Sequence, residues 1–301
     1  MPNAEIRPFS EEHLDAAAAL LRERHERHLA GEPLLARNVD YRAQIAAVDG
    51  AGVVAVRDGQ VRAYLLGETT DDDAFVGFAS CAAAEPELLR DLYAALAPGW
   101  ERARHRVYVP AGDAALVEAW FRLAFGLQLV YGVRETAGGT AALDGDVSVR
   151  LGNADDLDAT AALSNMLWEH QHGSPSFSGR RLVSLEAMRE QWRGTWDDPA
   201  FAHLVAERDG RVVGDVLLFR RPENDLRVPP DNIDLAHASV APAERGSGVG
   251  LALVEHALEW ARSEGFASMT VDWREVNLLA SRFWPRRGFR PTFYRLYRRI
   301  P

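Results

Sequence analysis

Two stretches of the chain carry the same pattern of apolar and polar positions around the same turn. Ala55-Val56-Arg57-Asp58-Gly59-Gln60-Val61 and Ala206-Glu207-Arg208-Asp209-Gly210-Arg211-Val212 each set strand-forming residues on both sides of Asp-Gly. That is the strongest short hairpin signal. Three further pairs keep the same order. Ile6-Arg7 with Glu12-His13-Leu14-Asp15-Ala16 matches Val149-Arg150 with Asp155-Asp156-Leu157-Asp158-Ala159 ahead of the hairpins. After them, residues 79–85 (ASCAAAE) match 238–244 (ASVAPAE), and Phe121 through Gly126-Leu127 matches Phe283 through Gly288-Phe289. Four matches in one order predict two copies of one α/β unit. Each copy reads as strand, helix or helices, hairpin, third strand, helix, strand, short helix and final strands. In the second copy Leu251, Val254, Leu258 and Ala261 recur at helical spacing, with Glu255, His256, Glu259 and Arg262 opposite. The period predicts an amphipathic helix over Val249–Ser263, ended by Gly265. Small residues at 135–146 read as a linker. The expected domains are therefore 1–134 and 147–301.

Composition narrows the classes. A chain of 301 residues exceeds what one core usually organises, in keeping with two domains. A net charge of −10 argues against a nucleic-acid partner and mildly favours cationic or neutral acceptors. The single cysteine excludes an intrachain disulfide and a Cys-rich zinc site, and fits a reducing compartment; a cytoplasmic location is expected. Met1 to Leu14 lacks the apolar core of a signal peptide, and no stretch approaches a membrane span.

The chemistry concentrates at Arg245-Gly246-Ser247-Gly248-Val249-Gly250, between a strand and the predicted helix. Glycines at a helix N-terminus present unpaired N–H groups and the positive end of the helix dipole, which suits a phosphate without any lysine. A P-loop is absent, because no Gly-Lys-Ser/Thr occurs here. A dinucleotide fingerprint would need a third glycine where Leu251 stands, and would come early in its domain; only the spacing of Asp272 keeps that reading open.

Val240-Ala241-Pro242 followed by Arg245-x-x-Gly248-x-Gly250 resembles the acyl-CoA loop of the GNAT (Gcn5-related N-acetyltransferase) superfamily. Asn277-x-x-Ala280-x-x-Phe283-Trp284-x-x-x-Gly288-Phe289 resembles its second motif. The resemblance covers 147–301 well and 1–134 weakly. It implies an α/β (α+β) fold of two tandem GNAT-like domains, each a mixed, mostly antiparallel central sheet flanked by helices. It also implies acetyl-CoA as co-substrate and a cradle built from Ser239, Val240, Arg245, Gly246, Ser247, Gly248, Val249, Gly250, Asn277 and Phe283. In this family the strand ending at Val240 splays from the next, here 269–273, and pantetheine lies in the gap. Asn277 is the family's pantetheine contact and equally a helix N-cap; one side chain can do both. In the first copy Pro86-Glu87-Leu88-Leu89-Arg90-Asp91 replaces the glycine loop, which predicts one acyl-CoA per chain.

Asp234 lies six residues before Val240, where the family carries a glutamate base, and strand parity puts both on one face. It is the candidate base, or else a strand-start residue that solvates an edge. Where the family often has a tyrosine acid, this chain has Trp284, so Tyr294 and Tyr297 become candidates, with packing as the alternative. The backbone N–H of Val240 is the expected donor to the thioester oxygen. Cys81 sits in the degenerate copy, so direct transfer in a ternary complex is expected rather than an acetyl-cysteine. His170 and His172 belong to the region expected to shape the acceptor pocket, and no metal is expected there. The Arg-rich end, with Arg286 and Arg287, offers a 3′-phosphate contact or a solvated face. The resulting expectation is an acetyl-CoA-dependent N-acetyltransferase acting on a small-molecule or peptide amine, with no nucleic acid or membrane partner and with homodimerisation open. The alternative is a non-catalytic acyl-CoA sensor or scaffold.

Overall fold

The computed structural model of the protein describes residues 4–138, 146–178, 181–222 and 226–301. In chain order its elements are β1 (Glu5–Pro8), α1 (Leu14–Gly31), α2 (Tyr41–Ala46), β2 (Ala51–Arg57), β3 (Gln60–Thr69), β4 (Asp73–Val76), β5 (Cys81–Ala83), α3 (Leu88–Leu96), β6 (Arg104–Pro110), α4 (Ala114–Phe121) and β7 (Gly126–Glu135). Then follow β8 (Ser148–Leu151), α5 (Leu157–His172), α6 (Leu185–Asp197), β9 (Phe201–Arg208), β10 (Arg211–Phe219), β11 (Asn232–Val240), α7 (Val249–Ser263), β12 (Ser268–Arg274), α8 (Leu278–Arg286) and β13 (Arg290–Arg299). They gather into two compact units that are not consecutive in sequence. One is Met1–Tyr131 with Asn224–Pro229 and Pro291–Pro301; the other is Gly132–Glu223 with Pro230–Arg290. Most of β13, expected in the second domain, therefore counts with the first. Most of the expected linker, 139–145, lies outside the described residues.

In the first unit the strands run β1-β2-β3-β4-β6-β13, with β5 on β3. Only β4–β6 is parallel among these pairs. Leu89 and Leu92 of α3 and Leu116 and Trp120 of α4 cover one face, over Ala55, Leu65 and Val107. Leu14, Ala17 and Leu21 of α1 and Ile45 of α2 cover the other, over Val54, Tyr64 and Leu66. In the second unit β8-β9-β10-β11 is antiparallel and β11–β12 parallel. Both units are thus mixed sheets between helices, as the sequence implies.

The repeat is deeper than the sequence matches reveal. Both Asp-Gly turns have two positive φ values, 51° and 75° at Asp58-Gly59 and 52° and 71° at Asp209-Gly210. This is the type I′ geometry that suits a two-residue hairpin. Just past each turn the register skips one residue, at Arg62 in β3 and Val213 in β10. The third sequence match is displaced, however. Ala63 pairs with Ala83, whereas its counterpart Gly214 pairs with Val240. Ala83, not Cys81, therefore stands where Val240 does. From there only 84–87 lead to α3, whereas 241–248 lead to α7. The first unit has not merely changed its glycine loop; it is four residues shorter at that point.

Candidate functional site: a parted sheet beside a glycine turn

The second unit's helices pack on opposite faces of its sheet. A Cβ at Gly214 would come within 2.9 Å of Leu253 and 3.0 Å of Val249, so Gly214 and its partner Val240 face α7. Leu217 packs with Ala161 of α5 and with Met188 and Trp192 of α6 on the other face. Between these layers β11 and β12 begin as a parallel pair, from Asn232–Ser268 to Leu235–Val271, and their pairing stops there. β11 runs on to Val240 and β12 to Arg274. Ala241 N–H donates to the Val213 carbonyl of the β10 edge at 2.9 Å. Successive strand amides point to opposite edges, so Val240 N–H points to the edge that β12 has left.

At the end of this gap the chain turns through Gly246 (φ 83°) and Gly248 (φ 93°) into α7. Both values lie in the left-handed region that side chains with a Cβ resist. Nothing stands within 4 Å of a Cβ placed at either, so the turn is open as well as glycine-dependent. Gly248 is the N-cap of α7, and a helix N-terminus with no capping side chain leaves its first N–H groups to a ligand.

The cleft there encloses about 410 Å³. Eight of the ten expected cradle residues line it: Ser239, Val240, Arg245, Gly246, Gly248, Gly250, Asn277 and Phe283. The other two do different work. Val249 is fully buried against Gly214. Ser247 is exposed, and its Oγ donates to the Glu244 carbonyl at 2.7 Å. Sequence reasoning also left out Leu167 of α5, Val216 of β10 and Ala280 of α8, which complete the wall. A helix-period argument alone does not say which apolar face meets a cleft.

Two cleft cations, Arg245 and Arg287, have no carboxylate partner among the described residues. Burial pushes the Arg245 guanidinium below its ordinary pKa. Arg287, lying 5.0 Å over the Phe283 ring, keeps a buried Nε with no hydrogen-bond partner among the described residues. Glu244 also lines the cleft, but Arg208 holds its carboxylate. A polyanion fits this donor set: open glycine amides, a helix N-terminus and two uncompensated guanidinium groups.

Asn277 is both things expected of it. Its Oδ1 accepts from Leu279 N at 3.2 Å and Ala280 N at 3.4 Å, capping α8, while the residue lines the cleft. His170 Nε2 lies 3.3 Å from the same oxygen, and His170 also lines the cleft. Trp284 stands in the wall edge-on to Phe283, at 5.0 Å between ring centres.

The structure places the three expected catalytic residues outside the cleft lining. Asp234 is buried, with Oδ2 accepting from Arg221 Nε at 3.0 Å and Oδ1 accepting from Thr270 Oγ1 at 2.8 Å. It does not line the cleft. Strand parity breaks at a β-bulge: Leu218 pairs with Leu235 but Leu217 with His237, so Ala236 is an extra residue. Past a bulge the faces exchange, and Asp234 falls on the face opposite Val240. Tyr294 and Tyr297 pair across from Val109 and Arg106 of β6, inside the first unit, and neither lines the cleft.

Beneath the cleft floor lies a carboxyl that sequence reasoning missed. Asp215 of β10 is fully buried, and Ser239 Oγ donates to its Oδ1. Its Oδ2 has no hydrogen bond among the described residues, with His237 Nε2 at 3.6 Å. Burial pushes the carboxyl up to about 7. A lone carboxylate in the apolar run Val212–Leu218 is the signal that marks it. His237 also lies 3.3 Å from Ser164 Oγ and edge-on to Trp192.

In the first unit the matching place is filled. Strand β11 has its counterpart in two pieces, β4 and β5, and the Arg24 guanidinium of α1 donates to the carbonyls of Phe78 and Cys81 beside the break. Counting from the start of each helix, Arg24 occupies the place of the cleft residue Leu167.

A parted mixed sheet with a glycine turn at the head of the next helix thus frames a cleft suited to a polyanion. Residues 165–289 match the Acetyltransferase (GNAT) family. Human N-acetyltransferase 8B is 31% identical over 99 residues, which are 32% of this chain and 43% of that one. The chain spans 32–60% of the length of the first curated relatives it matches. A GCN5-related N-acetyltransferase from Sphaerobacter thermophilus superposes over 99% of this chain and 95% of its own, with a TM-score of 0.63 at 16% identity. A tandem GNAT protein from the clavulanic acid biosynthesis pathway covers 99% of both chains, with a TM-score of 0.55 at 16% identity. The last two are likenesses of fold, and they extend it to both units. No helix among the described residues is long and apolar enough to cross a membrane, and none of their His, Cys, Asp and Glu side chains form a group of three or more placed to hold a metal.

Proposed function

We propose that the second unit binds acetyl-CoA and transfers its acetyl group directly to a primary amine of a small molecule or peptide. The observation that carries this reading is the open Gly246–Gly248 turn, aimed with Arg245 and Arg287 at the head of a parted β11–β12 pair. In this reading the pyrophosphate takes the amides of 245–250 and the start of α7. The pantetheine arm lies along the edge that β12 has left, beside Asn277 and Phe283. Val240 N–H donates to the thioester oxygen as charge develops there. The amine nitrogen attacks the carbonyl carbon, a C–N bond forms as the C–S bond breaks, and free CoA and an amide result. The cleft wall is mostly apolar, with Leu167, Leu279, Ala280, Phe283 and Trp284 excluding water from the thioester.

The first unit supplies no second cradle in this account, because its connection is short and Arg24 fills the break. The test combines calorimetric binding of acetyl-CoA with release of free thiol across a panel of primary amines. Binding with turnover supports the transferase. Binding without turnover across the panel makes the chain an acyl-CoA sensor, and no binding refutes the cradle.

A further inference from the structure

In the proposed transfer the amine must lose a proton, and most nearby groups cannot take it. Asp234 is committed to Arg221 and Thr270, Trp284 has no acidic proton to exchange, and the two tyrosines belong to the other unit. The titratable side chains that line the cleft are His170, Glu244, Arg245 and Arg287. Arg208 holds Glu244, and guanidinium groups do not give up a proton near neutral pH.

The N-cap of α8 decides the state of His170. Two backbone N–H groups, those of Leu279 and Ala280, donate to the same atom of Asn277. That atom is therefore the amide oxygen, and the side chain has one orientation rather than two. A ring nitrogen that faces an oxygen already accepting from two amides must itself donate. His170 Nε2, 3.3 Å away, therefore carries a hydrogen. In the neutral ring the other nitrogen, Nδ1, is then the bare one. Among the described residues Nδ1 has no hydrogen-bond partner.

We infer that His170 is a catalytic residue: its Nδ1 takes the proton from the attacking amine, with Asn277 fixing the tautomer. This rests on the acetyl-CoA reading of the cleft. The step balances. The amine nitrogen forms its bond to the carbonyl carbon, its proton passes to Nδ1, the C–S bond breaks, and the imidazolium returns that proton to the leaving thiolate. The ring ends as it began, and no other reactant is required. One histidine thus covers both the base and the acid, roles that no other described residue lining the cleft is free to take.

Three measurements on the full chain separate this from a structural role. Nitrogen-15 NMR of the histidine side chains reads the tautomer directly, and the proposal requires protonated Nε2 and bare Nδ1 at His170. His170→Gln can still donate to Asn277 but cannot carry the proton. It is expected to bind CoA within about threefold of the parent in calorimetry while thiol release with saturating acetyl-CoA and tyramine falls about 100-fold. His170→Ala is expected to regain activity on addition of free imidazole, which a packing role would not allow. A protonated Nδ1 in the neutral ring, or His170→Gln turning over within threefold of the parent, overturns the proposal. If tyramine is not accepted, the tautomer decides alone. Failure of the parent itself to bind CoA would instead refute the cradle, and calorimetry shows which has happened.

Discussion

Replacing Gly248 by alanine separates backbone strain from every other effect, because the structure makes the strain the only change in the free protein. A Cβ at Gly248 would meet no atom within 4 Å, so no clash arises. The φ of 93° is the whole penalty. Holding an L-residue in the left-handed region costs about 1–2 kcal/mol. Stiffening the unfolded chain offsets only part of that loss where the native φ does not suit alanine. A net destabilisation of about 1–2 kcal/mol lowers the melting temperature by roughly 2–8 °C for a unit of this size. Gly250, two residues on and inside α7, is the comparison. Its φ is ordinary, and a Cβ there would lie 3.7 Å from Phe283 and Val240, in normal contact. Alanine favours a helix over glycine by roughly 0.5–1 kcal/mol, so Gly250→Ala should hold or raise the melting temperature. The Cβ at 248 would also stand in the open space beside the turn. Affinity for CoA should therefore fall at least about tenfold, or about 1.4 kcal/mol. Scanning calorimetry and isothermal titration of the two variants make the assay. The Gly248→Ala shift must be negative and the Gly250→Ala shift zero or positive; a Gly248→Ala protein as stable as the parent and with unchanged affinity would refute the strain assigned to this turn.

Other consequences follow from the buried ionisable groups. The Asp215 carboxyl has its folded pKa raised to about 7, so between the ordinary carboxylate range and pH 7 the folded state binds more protons than the unfolded one, and stability falls as pH rises through that window. Asp215→Asn should remove that slope and leave the variant more stable than the parent at pH 8 by a few kcal/mol, about 1.4 kcal/mol for each tenfold rise in the carboxyl's proton affinity on folding; a parent with no such slope contradicts the assignment. Burial lowers His28 to about 3 and His203 to about 4, so these two work in the opposite sense, their stability lost as pH falls from about 6.5. His203→Gln should therefore flatten acid unfolding followed by circular dichroism. Asp234→Asn should cost about 1–3 kcal/mol of stability by leaving Arg221 facing an amide, while turnover at saturating substrates stays within threefold; a far larger loss of turnover would restore Asp234 as the base. Arg24→Leu should lower the melting temperature, because the carbonyls of Phe78 and Cys81 lose their donor, and thermal scanning checks it.

What the sequence made legible was local. Asp58-Gly59 and Asp209-Gly210 announced their hairpins because the turn type demands positive φ at both positions. The α7 helix ran over the residues its period named, and the glycine turn sat at its head. What escaped was set by register. A single extra residue at Ala236 reversed the face of Asp234, and nothing in the alternation of Asn232–Val240 marks it. The two-residue displacement of Ala83 against Cys81 hid how short the first unit's loop is. The place of β13 depends on long-range pairing with β6, which no local pattern encodes. Asp215 was visible as a polar residue in an apolar run, but its meaning needs the burial that only the packed sheet supplies. His170 was legible as a pocket residue; its tautomer depends on an N-cap 107 positions away.

We propose one working acyl-CoA cradle in a chain that carries the fold twice. Isothermal titration of the full chain with acetyl-CoA tests it most directly. One equivalent bound per chain, with binding lost when Gly248 is replaced by valine, is the predicted result. Two equivalents per chain, or one that survives Gly248→Val, would contradict it.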